Sequence, residues 1–148
     1  MIYVLADNII SPLGRTSEEN YHAVKAGSSA IRSYAPMTDG VPNGFMASLL
    51  SSDFEEIVFS SASKAISLSG IDVSDKRIIF ILSSTKGAIE NLGKTEDKKL
   101  YLGETAQRIA TRLGFRTRPI VVCNACISGS SALILASRLL QLGTYEHA

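Results

Sequence analysis

Residues 120–131 read IVVCNACISGSS, an apolar run that passes into two cysteines and then into small polar residues. The apolar part, from Ile120 to Cys123, predicts a short buried strand, and residues 130–142 predict the helix that follows. A turn between a strand and a helix presents its side chains to the free N–H groups and the positive dipole of the helix N-terminus, which favour an anion. Cys126 occupies this turn, so its thiol should lose its proton readily and act as a nucleophile.

The helix after the turn is apolar on nearly every face, because residues 132–142 read ALILASRLLQL. Such a helix needs cover on all sides, as in a layer between two sheets. We expect this chain to supply about half of that cover. The rest would come from a further part of the polypeptide or from a tight dimer. We therefore expect one domain, 1–148, that stops before its last strand.

Upstream of the turn, short apolar runs alternate with helical patterns. Strands are predicted at 2–6, 45–50 and 77–82, of which the last is continuously apolar like a strand buried in a parallel sheet. Helices are predicted from a capping box at 16–19 to Ala26, from a second capping box at 52–55 to Gly70, and over 104–113. Strands that alternate with helices indicate right-handed βαβ units and an α/β fold with a mixed, mostly parallel sheet.

Two of the predicted helices have a distinct apolar face. The helix after 52–55 should turn Val58, Ala62, Ala65 and Ile66 inward, and the helix at 104–113 should bury Ile109 and Leu113.

Charge and cysteine content exclude several classes of protein. The chain has 15 basic and 14 acidic side chains, without the single-sign run that would indicate a nucleic-acid or membrane surface. It has no apolar stretch near the ~20 residues that span a bilayer, and its start does not resemble a signal peptide. Two cysteines three positions apart cannot close a long stabilising loop, so we expect a reduced, cytoplasmic protein.

The cysteine pair also permits other interpretations. Cys123 and Cys126 have the Cys-x-x-Cys spacing of thiol redox proteins, but a thioredoxin-like domain needs much of its sheet after that motif. A zinc site would need two more ligands near the pair, and His22 and His147 lie far from each other in sequence. The loop 83–87 has neither the order nor the spacing of a phosphate-binding loop. We interpret Cys123 as a buried packing residue.

Three motifs resemble those of the β-ketoacyl synthases, condensing enzymes with the thiolase fold. Residues 125–129, ACISG, resemble the Ala-Cys-x-Ser-Gly turn that carries the family's nucleophile. Residues 11–14, SPLG, with the helix end at 21–31, are similar to the family's Ser-Pro-x-Gly turn and the helix after it. Residues 109–119 resemble the run into the nucleophile strand. The segment 33–71 is shorter than usual and matches only in pattern.

The resemblance implies the N-terminal half of a thiolase-like layered fold with a central buried helix. It further implies an acyltransferase of fatty-acid or polyketide-type synthesis, in which an acyl group on Cys126 undergoes decarboxylative condensation with a malonyl-carrier protein. The Cys126 N–H would stabilise the oxyanion, and Thr85 would line the acyl pocket. Neither a metal nor an organic cofactor is implied. The family's catalytic histidines belong to the C-terminal half, so we expect this chain alone to be inactive in condensation.

The resemblance also implies partners. These are an acyl carrier protein bearing acyl and malonyl groups, and a second copy of the chain joined through the strand from Ile120 to Cys123. The basic side chains at 108, 112, 116 and 118 indicate either a solvated helix flank or a docking surface for an acidic carrier. A non-catalytic partner subunit of the same fold is an alternative, as is a Cys-x-x-Cys redox protein.

Overall fold

A computed structural model describes residues 1–35, 44–94 and 100–148. Four α-helices and four short strands lie within these ranges. The helices are α1 (Ser17–Lys25), α2 (Phe54–Ser69), α3 (Leu102–Leu113) and α4 (Ser128–Gln141). The strands are β1 (Arg32–Tyr34), β2 (Phe45–Ala47), β3 (Ile81–Ser83) and β4 (Ile120–Val122). β1 pairs with β2 in antiparallel orientation and β3 with β4 in parallel orientation, so the architecture is α/β, as predicted.

The parallel unit β3–α3–β4 contains the core. Ile81, Leu82 and Ser83 pair with Ile120, Val121 and Val122. α3 packs against β4, and α4 packs against both strands. Two isoleucines, Ile79 just before β3 and Ile109 on α3, retain only 1% of their accessible surface, which corresponds to roughly 1.5–3 kcal/mol of stabilisation for each side chain. The predicted inward position of Ile109 is confirmed, whereas Leu113 is half-buried.

Local capping signals set the starts of α1 and α2. Thr16 caps α1 as predicted, because its hydroxyl accepts from the Glu19 N–H at 3.1 Å and the Glu19 carboxylate accepts from the Thr16 N–H at 3.2 Å. The second predicted capping box was wrong by one residue. Asp53 is the N-cap of α2, and its carboxylate accepts from the Glu56 N–H at 2.9 Å. Gly70 ends α2 in the left-handed region, at φ 69°.

The predicted strands are shorter than expected, and one is absent. Residues 2–6 form no strand, and the Val4 side chain is 84% exposed, since no described residue pairs with this segment. Only Phe45–Ala47 of the predicted strand at 45–50 is extended and paired, and its partner β1 was not predicted. Likewise β4 ends at Val122, one residue earlier than expected. Of the predicted strand at 77–82 only Ile81 and Leu82 pair with β4, and the pairing continues one residue further, to Ser83.

Two apolar faces have only partial cover within the described residues. α4 begins two residues earlier than predicted, and only Ser128 in it is buried, while Leu133 is 72% exposed. The chain thus covers one part of the helix, as expected, rather than enclosing it. The predicted inner face of α2 is half-buried, and no residue of α2 is fully buried. In the described part of the chain, no helix has the length and apolar character that a membrane span requires.

Candidate functional site

Cys126 lies in a single 3-10 turn, Ala125–Ile127, that connects the end of β4 to α4. The N-cap of α4 is Ile127, so the cysteine stands directly before the helix N-terminus. Its thiol is free and exposed. Cys126, which we predicted from the sequence to be the nucleophile, is therefore accessible at the junction between a parallel strand and a helix.

The backbone of this turn is strained at Ala125. Its φ angle is 44°, and among the described residues no other residue except glycine has a positive φ. For an alanine this left-handed conformation costs roughly 1–2 kcal/mol. Strain of this kind persists only where the surroundings impose it, and it is concentrated at functional sites.

Ser128 imposes the turn conformation. It is 5% exposed, and its hydroxyl accepts from the Asn124 N–H at 2.8 Å while donating to the Ala125 carbonyl at 2.7 Å. The Ile127 N–H donates to the Asn124 carbonyl at 3.1 Å, and the Asn124 side-chain amide donates to the Ser131 hydroxyl at 3.1 Å. These bonds bridge the residues on both sides of Cys126 and hold its backbone in one geometry.

The start of α4 offers hydrogen-bond donors to an anion. Ile127 has no side-chain acceptor for the N–H groups of the first turn, and that turn has no acidic residue. The Ile127 and Ser128 N–H groups are used within the turn, by the carbonyls of Asn124 and Ala125, so the donors in question are those that follow Ser128. Unsatisfied N–H groups and the helix dipole stabilise negative charge at this end of a helix. The arrangement can therefore stabilise a thiolate, or the oxyanion formed when a thiolate adds to a thioester carbonyl.

The loop with Thr85 lies at the same edge of the sheet. Ser83 is paired with Val122, and the Ser84 N–H donates to the Val122 carbonyl at 3.3 Å. Thr85 comes next and is exposed. Because β3 and β4 are parallel, their carboxyl ends place the Thr85 loop and the Cys126 turn side by side, at the edge where ligands bind in open α/β sheets.

Cys123 differs from the interpretation made from sequence. It is exposed and free rather than buried. The reason is its position one residue beyond the end of β4, where cover from the neighbouring helices stops.

The two histidines lie elsewhere. The His22 side chain is on α1, 3.8 Å from the Glu18 carboxylate and 66% exposed. The backbone carbonyl of His147 accepts from the Ile79 N–H at 3.1 Å. Ile79 precedes β3 whereas Cys126 follows β4, so His147 is at the opposite end of the parallel strands. Among the described residues there is also no group of three or more side chains placed to hold a metal ion.

Two of the four basic side chains at 108, 112, 116 and 118 form ion pairs with α2. Arg108 forms an ion pair with Glu55, and the Arg112 guanidinium lies 2.6 Å from the Glu56 carboxylate and 3.5 Å from the centre of the Phe59 ring. The hydrogen bond from Arg112 lowers the pKa of Glu56 below its ordinary value. These contacts use two of these four charges within the fold.

Sequence reasoning missed the role of Ser128. It identified the cysteine but read no hydrogen-bond function into the serine two positions later. A serine at the first residue of a helix commonly binds the backbone three and four residues upstream, so the spacing from Asn124 to Ser128 was the available signal.

Comparison with known proteins supports the fold. No family model matches the sequence, and no curated protein matches it. Among solved structures, the chain is similar to the crystal structure of a β-ketoacyl synthase from Burkholderia phymatum STM815, with a TM-score of 0.67 and 19% identity. The match covers 96% of this chain and 44% of that chain, so the present chain spans less than half of the solved protein. At this identity the similarity shows the fold, which is that of a β-ketoacyl synthase fragment, as predicted.

Proposed function

We propose that this chain provides the acyl-accepting part of a condensing enzyme of the β-ketoacyl synthase type. The observation that carries the proposal is the exposed Cys126 thiol in a strained, serine-braced turn directly before α4. The similarity in fold to a solved β-ketoacyl synthase supports it independently of the site geometry.

The proposed step is a transthioesterification. The Cys126 thiolate attacks the carbonyl carbon of an acyl group held as a thioester on a carrier protein. The N–H of Cys126 and the N–H groups of the first turn of α4 that follow Ser128 stabilise the resulting oxyanion. The bond between the carbonyl carbon and the carrier sulfur then breaks, and the carrier thiol takes up the proton that Cys126 lost. The acyl group is left on Cys126, so the covalent intermediate divides condensation into two easier steps.

Condensation itself would need groups that the described residues do not bring to Cys126. In the complete reaction a malonyl thioester loses carbon dioxide, and the carbanion displaces Cys126 from the acyl carbonyl as a new carbon–carbon bond forms. The family resemblance assigns the polarisation of the malonyl group to two histidines, and neither His22 nor His147 is placed to do this. We therefore expect this chain alone to be acylated without condensing.

Thr85 and the free edge of β4 complete the proposal. Thr85 would line the acyl pocket, since its loop borders the Cys126 turn. Ile120 and Val122 direct their backbone groups toward β3, so Val121 directs its own groups to the other edge of β4. Within the described residues that edge has no strand partner, which supports a homodimer through the strand 120–123. The carrier protein remains a proposed partner.

Acyl transfer tests the proposal. The chain is incubated with the N-acetylcysteamine thioester of octanoic acid, and the adduct is located by peptide mass spectrometry. We expect one octanoyl group on Cys126, loss of the adduct in Cys126→Ser, and retention in Cys123→Ser. An adduct mainly on Cys123, or no adduct on the wild-type chain, would overturn it. A β-keto product from this chain and a malonyl thioester alone would contradict the assignment of condensation to groups elsewhere.

The exposure of both cysteines favours a second candidate function, a thiol redox pair. In that case glutathione disulfide should convert Cys123 and Cys126 to a reversible intramolecular disulfide, and the acyl thioester should leave both unmodified. A non-catalytic partner subunit would give neither product. The same two reagents therefore separate the three functions.

A further inference from the structure

Cys123 is an exposed thiol that the proposed acyl transfer does not use. It lies one residue beyond the end of β4, and only Asn124 and Ala125 separate it from Cys126. The chain has no other cysteine, neither of the two is in a disulfide, and every residue from 123 to 127 is exposed. A reagent that reaches Cys126 from solvent therefore meets two thiols instead of one.

The backbone turns between the two thiols. In a fully extended chain, α-carbons three residues apart are separated by about 10 Å, whereas a disulfide needs a separation below roughly 7 Å. Here Ala125 has a φ angle of 44°, and the Ile127 N–H donates to the Asn124 carbonyl at 3.1 Å, so the chain changes direction directly after Cys123. The turn thus brings the α-carbons of Cys123 and Cys126 nearer to each other than an extended chain would.

The residues between the thiols leave their approach open. The Asn124 side-chain amide is held on α4 by its hydrogen bond to the Ser131 hydroxyl at 3.1 Å, and Ala125 carries only a methyl group. Both cysteines are exposed, so their thiols can rotate toward each other without displacing a core residue. The pair is therefore suited to form an intramolecular disulfide when one of the two sulfurs is oxidised.

From this arrangement we propose that Cys123 is a resolving thiol, which captures an oxidised Cys126 as a reversible disulfide. The inference rests on the proposed function, because it describes regulation of the acyl-accepting thiol. In a thiol redox enzyme the disulfide is a catalytic intermediate. Here it is a protected resting form, in which Cys126 cannot accept an acyl group until a reductant restores its thiol.

Cys126 is oxidised first, by a hydroperoxide. It stands directly before α4, whose N-terminus stabilises the thiolate that attacks a peroxide, whereas Cys123 follows a strand. With hydrogen peroxide, the Cys126 thiolate takes up one oxygen as the O–O bond breaks, and the other oxygen leaves as water. Cys126 is then a sulfenic acid.

Cys123 completes the reaction. Its thiolate attacks the Cys126 sulfur, the S–O bond breaks, and the released hydroxide takes up the proton that Cys123 lost and leaves as water. Two thiols and one peroxide thus give one disulfide and two waters. Dithiothreitol reduces the disulfide and is itself oxidised to a disulfide. Without Cys123, the sulfenic acid reacts with further peroxide to a sulfinic acid, which a dithiol does not reverse.

Peroxide treatment of the full chain tests the proposal. The reduced chain is exposed to a small excess of hydrogen peroxide, and the mass of the tryptic peptide 117–138 is measured, since this peptide contains both cysteines and no methionine. We expect the peptide to lose two hydrogens and to regain them with dithiothreitol. Loading of the octanoyl group from its N-acetylcysteamine thioester should disappear with the oxidation and return with the reduction.

Variants of the two cysteines separate their roles. In Cys123→Ser, octanoyl loading before peroxide should equal that of the wild type. After peroxide, Cys126 of this variant should carry two additional oxygens, and loading after dithiothreitol should be lower than in the wild type by on the order of tenfold. In Cys126→Ser, Cys123 should keep its thiol under the same exposure, because the sulfur that reacts first is absent.

The contrary results distinguish this inference from the proposed function. Equal recovery of loading in Cys123→Ser and the wild type, a sulfinic acid on Cys126 of the wild type, or a disulfide that joins two chains would overturn the inference and leave the proposed function intact. A reduced chain that forms the intramolecular disulfide but never accepts the octanoyl group would refute the proposed function, and with it the regulation inferred from it.

Discussion

The β3–α3–β4 unit and two apolar segments outside it, residues 2–6 and the outer face of α4, are rich in apolar side chains but have different surroundings. Ile79 and Ile109 in the unit are 1% exposed, whereas Val4 in the N-terminal segment and Leu133 on the outer face of α4 are 84% and 72% exposed. The difference arises from partners, since burial of an apolar side chain needs a second element to cover it. An apolar pattern therefore identifies residues that can form a core, and neighbouring elements determine which of them do.

The candidate site lies at the boundary between these two regions. β4 and Ser128 fix the Cys126 turn from the side of the core, and the outer face of α4 beyond it is open. The Cys126 turn is thus held rigidly, whereas the helix that follows it has an apolar face that is exposed to solvent. Four substitutions or conditions test this contrast, in order of decreasing expected effect.

The largest effect should come from the core. Ile109→Ala removes a fully buried side chain from α3 and should lower the free energy of unfolding by about 2–5 kcal/mol, because a cavity forms. Ile134→Ala is the same substitution on α4 at a side chain that is 52% exposed, and it should cost much less. Urea denaturation followed by circular dichroism measures both. Equal losses would mean that the outer face of α4 is covered in solution.

The next effect should come from the brace of the turn. Ser128→Ala removes the acceptor of the Asn124 N–H in a part-buried hydrogen bond and should destabilise the chain by about 0.5–1.5 kcal/mol. It should also slow alkylation of Cys126, since the turn loses its fixed geometry, while Ser128→Thr retains the hydroxyl and restores both properties. The control is Ser130→Ala at an exposed position. An unchanged Cys126 alkylation rate in Ser128→Ala would exclude a positioning role.

A smaller effect should come from relief of strain. Ala125→Gly removes the penalty for a positive φ of 44°, so the chain should be stabilised slightly, by less than about 1 kcal/mol after the entropy cost of glycine. Ala132→Gly in the body of α4 is the matched control and should destabilise by roughly 0.5–1 kcal/mol. Thermal unfolding of the two variants compares them. Opposite signs are expected, and the same sign would refute strain at Ala125.

The smallest effect should come from acid. The hydrogen bond from the Arg77 guanidinium lowers the pKa of Asp75 from 3.8 to about 2. A depressed carboxylate pKa contributes stability above the unfolded value, and that contribution is lost as the pH falls from about 4 to about 2. Stability should therefore fall over this interval less steeply in Asp75→Asn. The Asp75–Arg77 ion pair is exposed, so added salt should reduce the difference between the pH profiles of the wild type and Asp75→Asn. Identical pH profiles would show that the Asp75–Arg77 ion pair contributes nothing to the stability of the fold.

Local signals in the sequence predicted much of this structure. Thr16 and Gly70 set helix ends through their own side-chain or backbone preferences, and the cysteine turn follows from a strand that runs into a helix. The strand predicted at 2–6 failed because pairing depends on a distant edge that the pattern does not contain. The positive φ of Ala125 gave no sequence signal, since alanine has no preference for that conformation. The ion pair of Arg112 with Glu56 likewise joins helices far apart in sequence.

Competition between the two cysteines tests the central claim most directly. Cys123 and Cys126 are both free and exposed, so access to solvent alone favours neither. A long-chain α-bromoketone, which resembles an acyl thioester, is added below stoichiometry, and peptide mass spectrometry gives the ratio of the two adducts. We predict that Cys126 reacts faster by on the order of tenfold, because only its turn is braced before a helix N-terminus. Equal labelling, or faster labelling of Cys123, would contradict the assignment of Cys126 as the nucleophile.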